Sequence, residues 1–175
     1  MSRSRSIAPL RRAPALLLLL VGCDGAGAGS RQPLLLDAMV VFPPRDTVRF
    51  SLPATTHRCA DGRTVLIEAV SPEGSGVLVR LHFRDSLVSG SYPVLAPGDT
   101  TAPGAVVAVR YLLRDASHGF FLDTGAVQVR LGAGKVAGHI KGSGTETGIH
   151  TPMRIDYRNV PLPLATDTTS CGFQL

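Results

Sequence analysis

Apolar and polar residues alternate with a period of two through most of this chain. Val48, Phe50 and Leu52 alternate with Thr47, Arg49 and Ser51; Val77, Val79, Leu81 and Phe83 alternate with Leu78, Arg80, His82 and Arg84. The same rhythm runs through Val107, Val109, Tyr111 and Leu113, through Val127, Val129 and Leu131, and through Ile155 and Tyr157. Successive side chains of an extended strand point to opposite faces, so each run predicts a strand with one buried face. Residues 63–70 and 135–142 predict two more. Residues 34–42 are apolar and form the first element, equally compatible with a strand or a short helix. There is no heptad pattern and no internal repeat.

Turn signals separate these runs: Asp61-Gly62, Pro72-Glu73-Gly74, Pro97-Gly98-Asp99, Gly132-Ala133-Gly134 and Gly142-Ser143-Gly144. Asp61-Gly62 predicts a two-residue type I′ hairpin, a turn that needs positive φ at both central positions. Pro93 lacks an amide hydrogen and predicts an edge strand. Short strands with turns every eight to twelve residues predict an all-β fold, specifically an antiparallel two-sheet β-sandwich of immunoglobulin-like or jelly-roll-like form, with a small β-barrel as the alternative.

The N-terminus breaks the rhythm. Arg3, Arg5, Arg11 and Arg12 precede a short apolar run from Ala15 to Gly22, the arrangement of a secretory signal and too short for a membrane span. The run ends in Leu20-Val21-Gly22-Cys23, which resembles the lipobox of bacterial lipoproteins. That resemblance implies cleavage before Cys23, acylation of its thiol and amino group, and stable anchoring to a lipid bilayer, facing the periplasm or the cell exterior. The expected organisation is a signal peptide over residues 1–22, a lipidated Cys and flexible Gly-rich tether over 23–33, and a single β domain over 34–175. The later segments VQVRL, KVAGHIKGSG and MRIDYRNVPL also resemble uncharacterised bacterial lipoproteins with a β-sandwich body, a likeness that carries no functional residues across.

Removing the signal changes the meaning of the charge. The chain has 18 Lys and Arg against 13 Asp and Glu. Four of those arginines lie in the signal and none of the acids do, which leaves 14 against 13. The high pI is therefore no sign of nucleic-acid binding, and an exported protein has little access to nucleic acid. Cys59 and Cys171 remain once Cys23 is assigned to lipid, and an even pair in an oxidising compartment predicts a disulfide from near the start of the domain to its end.

Leu122-Asp123-Thr124-Gly125-Ala126 resembles the catalytic loop of retropepsin-type aspartic proteases, which implies Asp123 as half of a carboxylate dyad shared by two copies. About 120 residues precede the motif, and the later apolar-apolar-Gly segment of that family has no convincing counterpart here. The strand pattern suggests another role. Residues 120–123 would close one strand, residues 126–131 would open the next, and Asp-Thr-Gly would be the hairpin turn between them. No HExxH, GxSxG, SxxK, Walker or dinucleotide motif is present in the sequence.

The strand assignment points His82 and His139 outward, among Arg80, Arg84 and Lys141, as solvated surface residues. No cofactor is called for, and a metal site would need histidines from distant strands. Arg80, Arg84, Arg110, Arg114, Arg130, Lys141, Arg154 and Arg158 fall on the polar sides of strands, either as a basic face or as two solvated sheet faces balanced by loop acids. The expected function is that of a membrane-anchored binding or structural module, with an envelope protein as its candidate partner. The alternative is a small exported hydrolase or metal-dependent enzyme assembled from His118, Asp123 and His150.

Overall fold

The computed structural model describes residues 35–42, 46–164 and 166–171, all within the compact unit Gln32–Leu175. The expected signal segment, Cys23 and the tether lie outside the described residues. Strand makes up 69% of what is described and no helix is present there, which makes the domain all-β.

The strands are β1 (Leu35–Phe42), β2 (Asp46–Leu52), β3 (Thr55–Cys59), β4 (Thr64–Val70), β5 (Gly76–His82), β6 (Gly90–Pro93), β7 (Gly104–Leu113), β8 (Ala116–Gly132), β9 (Lys135–Glu146), β10 (Ile149–Pro161) and β11 (Thr168–Thr169). They form one hydrogen-bonded path, β11-β3-β4-β5-β7-β8-β9-β10-β1-β2, with β6 paired to β8. Every pairing is antiparallel except β11 with β3. The path curls into an open half-barrel, so the barrel alternative is met in part and the strands are not divided between two separate sheets. Of the apolar 34–42 segment, the described residues Leu35–Phe42 form a strand. Pro93 ends β6, which has β8 as its strand partner, the edge position its missing amide hydrogen favours.

The inner face holds a single core. Leu36 and Val40 of β1, Ile67 of β4, Val79 and Leu81 of β5, Val107 and Tyr111 of β7, Leu122 and Val127 of β8, Ile140 of β9, and Ile155 and Tyr157 of β10 are all buried in it. Their even spacing along each strand, broken only between Leu122 and Val127 of β8, is the period that the sequence shows.

Three turn expectations need correction. Asp-Thr-Gly is not a hairpin turn, because β8 runs straight through it. The register against β9 shifts between Leu122 and Thr124, and Gly125 takes φ +116°. This is a β-bulge, and the extra residue resets which parity faces inward. Phe120 and Leu122 point into the core before it; Val127 and Val129 do so after it. The first part of β8 pairs with β7 and the second with β9 and β6, so the bulge is also the corner of the half-barrel.

Gly142-Ser143-Gly144 is likewise strand, inside β9. The real turn there is Thr147-Gly148, with φ +47° and +82°, the positive pair of a two-residue hairpin. At Asp61-Gly62 the hairpin exists, but only Gly62 has positive φ, and its amide donates to the Cys59 carbonyl at 2.9 Å. The connection is thus wider than the type I′ turn expected.

Cys59 and Cys171 form the expected disulfide, with an S–S distance of 2.02 Å across 112 positions. It ties the C-terminal segment to the end of β3. The Ala60 amide donates to the Thr169 carbonyl, and the Arg80 guanidinium donates to the Cys171 carbonyl.

Candidate functional site

The residues singled out from the sequence are not brought together. His118 lies on the inner parity of β8, alongside Phe120 and Leu122. Asp123 sits in the bulge, exposed, and its carboxylate accepts a 3.0 Å hydrogen bond from the Thr145 hydroxyl. His150 is exposed on β10, directly across from Thr145. Asp123 and His150 therefore share the outer rim of β8-β9-β10, while His118 belongs to the opposite face. Among the described residues, no group of three or more His, Cys, Asp or Glu side chains is placed to hold a metal ion.

His118 belongs instead to a cluster that the sequence reading missed. The β7–β8 hairpin turns at Arg114-Asp115, so Tyr111 and His118 are direct cross-strand partners. Their rings stack at 5.3 Å with an 18° tilt. Glu146, at the end of β9, closes the cluster. It accepts from His118 Nδ1 at 2.9 Å, from the Gly119 amide at 3.1 Å and from the Tyr111 hydroxyl at 3.0 Å. An ionised carboxylate can only accept, so His118 carries its proton on Nδ1. Burial, with Glu146 adding to it, pushes the Tyr111 phenol far above its ordinary pKa. The turn symmetry of YLLRDASH could have revealed the Tyr111–His118 pair, but nothing local points to Glu146.

A second arrangement lies on the outer side of β4 and β5. His82 is 6% exposed, contrary to the solvated position expected. Its Nδ1 lies 2.9 Å from the Thr64 hydroxyl, and that hydroxyl donates to Asp61 at 2.6 Å. Thr64 has one proton and gives it to a carboxylate, so Nδ1 of His82 must be the donor to Thr64. That leaves Nε2 bearing a lone pair when the ring is neutral, and it is buried without a partner among the described residues. Burial lowers the His82 pKa, with Arg80 acting in the same direction and Asp61 and Asp99 opposing. Asp61 is itself held below the usual carboxylate range: burial pushes it up, but hydrogen bonds from Thr64 and the Arg63 amide outweigh that. The side chains border a pocket of about 430 Å³ that Arg63, Arg84, Asp85 and Thr100 help to line.

Of the basic residues expected on the polar sides of strands, Arg84 and Arg114 lie in the connections that follow β5 and β7, and the others lie within strands. Arg80, Arg84 and Arg110 bond to the Cys171 carbonyl, the Ala102 carbonyl and the Ser117 hydroxyl. Arg114 pairs with Asp46 at 3.4 Å, Arg154 with Asp156 at 2.9 Å and Arg158 with Asp37 at 2.6 Å. Among the described residues, no carboxylate stands within ion-pair distance of Arg49, Arg130 or Lys141.

Among the described residues no helix is long and apolar enough to cross a membrane, which says nothing about strands. No family model matches the chain, and no curated protein or solved structure matches it.

Proposed function

We propose that this protein is an exported bacterial domain, held on a membrane by acylated Cys23, that works as a binding or interaction module in the cell envelope. The observation that carries the reading is Leu20-Val21-Gly22-Cys23 placed directly after a basic and then apolar leader. A disulfide between Cys59 and Cys171 suits an oxidising compartment and supports it. The all-β body supports a module that works through its surfaces, its rim clusters and the pocket beside His82. The hydrolase alternative loses support, because His118 and Asp123 occupy opposite faces of β8.

The test is fractionation of cells expressing the full chain or its Cys23→Ser variant, with the mass of the mature N-terminal peptide measured in parallel. The expected result is a membrane-bound wild type with an acylated Cys23 and a Cys23→Ser form released from membranes with its fold intact. A Cys23→Ser protein that still sediments with membranes would overturn the anchor.

A further inference from the structure

The outer face of β8-β9-β10-β1-β2 is cation-rich in a way that its own carboxylates do not balance. Strand register places Lys141 opposite Arg154, Arg154 opposite Met39, and Met39 opposite Arg49. The next outward row is Gln128, His139, Asp156, Asp37 and Ser51. Two positions further along come Arg130 on β8 and Arg158 on β10. All five cations are exposed.

Asp156 is already engaged by Arg154, and Asp37 by Arg158 and Ser51. Lys135, exposed on the outer parity of β9, and Asp123, on the outer rim of β8, offset each other in charge, so the face carries an excess of three positive charges, centred on Arg49, Arg130 and Lys141. From Cys23 onward the whole chain carries an excess of only one. Charge is therefore segregated: this face is basic and the remainder is net acidic. Like charges directly opposed across strands, as Lys141 and Arg154 are, destabilise a sheet. A sequence indifferent to this face would gain by relieving that contact.

We propose that this face lies against the anionic phospholipid surface of the membrane that holds the protein, orienting the domain on its anchor. The proposal rests on the anchored reading above and names the partner of its outer surface. Charge complementarity favours the occupant, since Lys and Arg near an anionic leaflet are attracted within about a Debye length, roughly 8 Å at physiological salt. The path of the chain favours it too. Cys23 lies twelve residues before Leu35, which opens β1, a strand of this same face, opposite Arg158. Twelve residues reach at most about 40 Å, so acylated Cys23 keeps the Leu35 end of β1, at the Arg158 side of the basic face, within that distance of the headgroups.

Lys141 reports on the contact directly. The lipidated chain, purified from membranes, is placed in vesicles of phosphatidylcholine alone or with about one third phosphatidylglycerol, and acylation of Lys141 by an amine-reactive ester is followed by mass spectrometry. The expected result is at least about threefold slower modification on anionic vesicles at low salt. That protection should disappear at about 0.5 M salt and in Arg49→Glu/Arg130→Glu, which leaves the reporter in place. Equal rates on both vesicles with the protein anchored would overturn the orientation alone. Equal rates with protection restored by a soluble polyanion would assign the face to an anionic polymer and overturn the bilayer as its partner. A mature N-terminus with no acyl mass on Cys23 would overturn the anchor and the orientation with it.

Discussion

His82 sits where burial, more than any partner, governs its protonation. Its ring borders a pocket together with Asp61, Thr64, Thr100 and Ala102 and feels the charges of Asp61, Arg80 and Asp99, and its folded pKa lies below the ordinary 6.5. The unfolded chain therefore takes up a proton that the folded chain resists, and stability falls as pH drops below about 6.5 and on through the folded pKa. Urea unfolding followed from about pH 7.5 to pH 5 should show that fall, and His82→Gln, which cannot titrate, should flatten it. Parallel pH profiles for the two proteins would show that His82 is not the source. The burial was not legible in the sequence. Alternation correctly turns His82 to the outer side, but the pocket it borders is built with Asp61, Thr100 and Ala102, about twenty residues away in either direction, a tertiary fact that no local pattern carries. Tyr111 and His118, equidistant from the Arg114-Asp115 turn, were legible in principle; Glu146, from the next hairpin, was not.

At the scale of the strand, small residues inside β9 let the sheet curl. Gly138, Gly142 and Gly144 share its inner parity, and large side chains of neighbouring strands occupy the space left there. A Cβ on Gly138 would run into the Gln128 carbonyl and the Tyr157 phenol, where the Tyr157 hydroxyl donates to that same carbonyl at 2.7 Å. At Gly142 it would meet Thr124 and Leu122, and at Gly144 the Phe120 ring. Gly138→Ala should therefore destabilise the domain by about 1–3 kcal/mol, because the clash includes backbone and cannot be relieved by a rotamer change. Denaturant unfolding checks this, with Gly134→Ala in the β8–β9 turn as a comparison, where a Cβ meets nothing within 4 Å and the cost comes from positive φ. Equal losses would sink the packing argument. These glycines also explain what the sequence misread. Strands with plain alternation, such as β2 and β5, were legible because one period serves both burial and backbone. In β9 the glycines mimic a turn, and in β8 the bulge at Asp123 breaks parity as a hairpin would, so local chemistry alone did not separate a bend within a strand from a turn between two.

For the molecule as a whole, an open half-barrel leaves edges that a closed barrel would remove. β2 carries Arg49 on its outer side, and β11, the far end of the path, is two residues long. So short a strand adds few backbone bonds, and what fixes it is the Cys59–Cys171 link across 112 positions. In the chain-entropy model a closure of that length raises the free energy of the unfolded state by about 4 to 5 kcal/mol. The full amount is lost in Cys59→Ser/Cys171→Ser only if the C-terminal segment stays docked by its own contacts. If it frays, the folded state recovers conformational entropy too, and the measured loss is smaller. Comparing the double variant with wild type in urea therefore measures more than the disulfide. A loss near the chain-entropy value means that β11 and the Arg80 bond to the Cys171 carbonyl hold the segment unaided. A clearly smaller loss, with faster amide exchange at Ala60, means that the covalent link is what holds it. The second outcome is expected, since one short parallel pairing supplies little enthalpy to set against the freed chain, and a loss at or above the full value would overturn it.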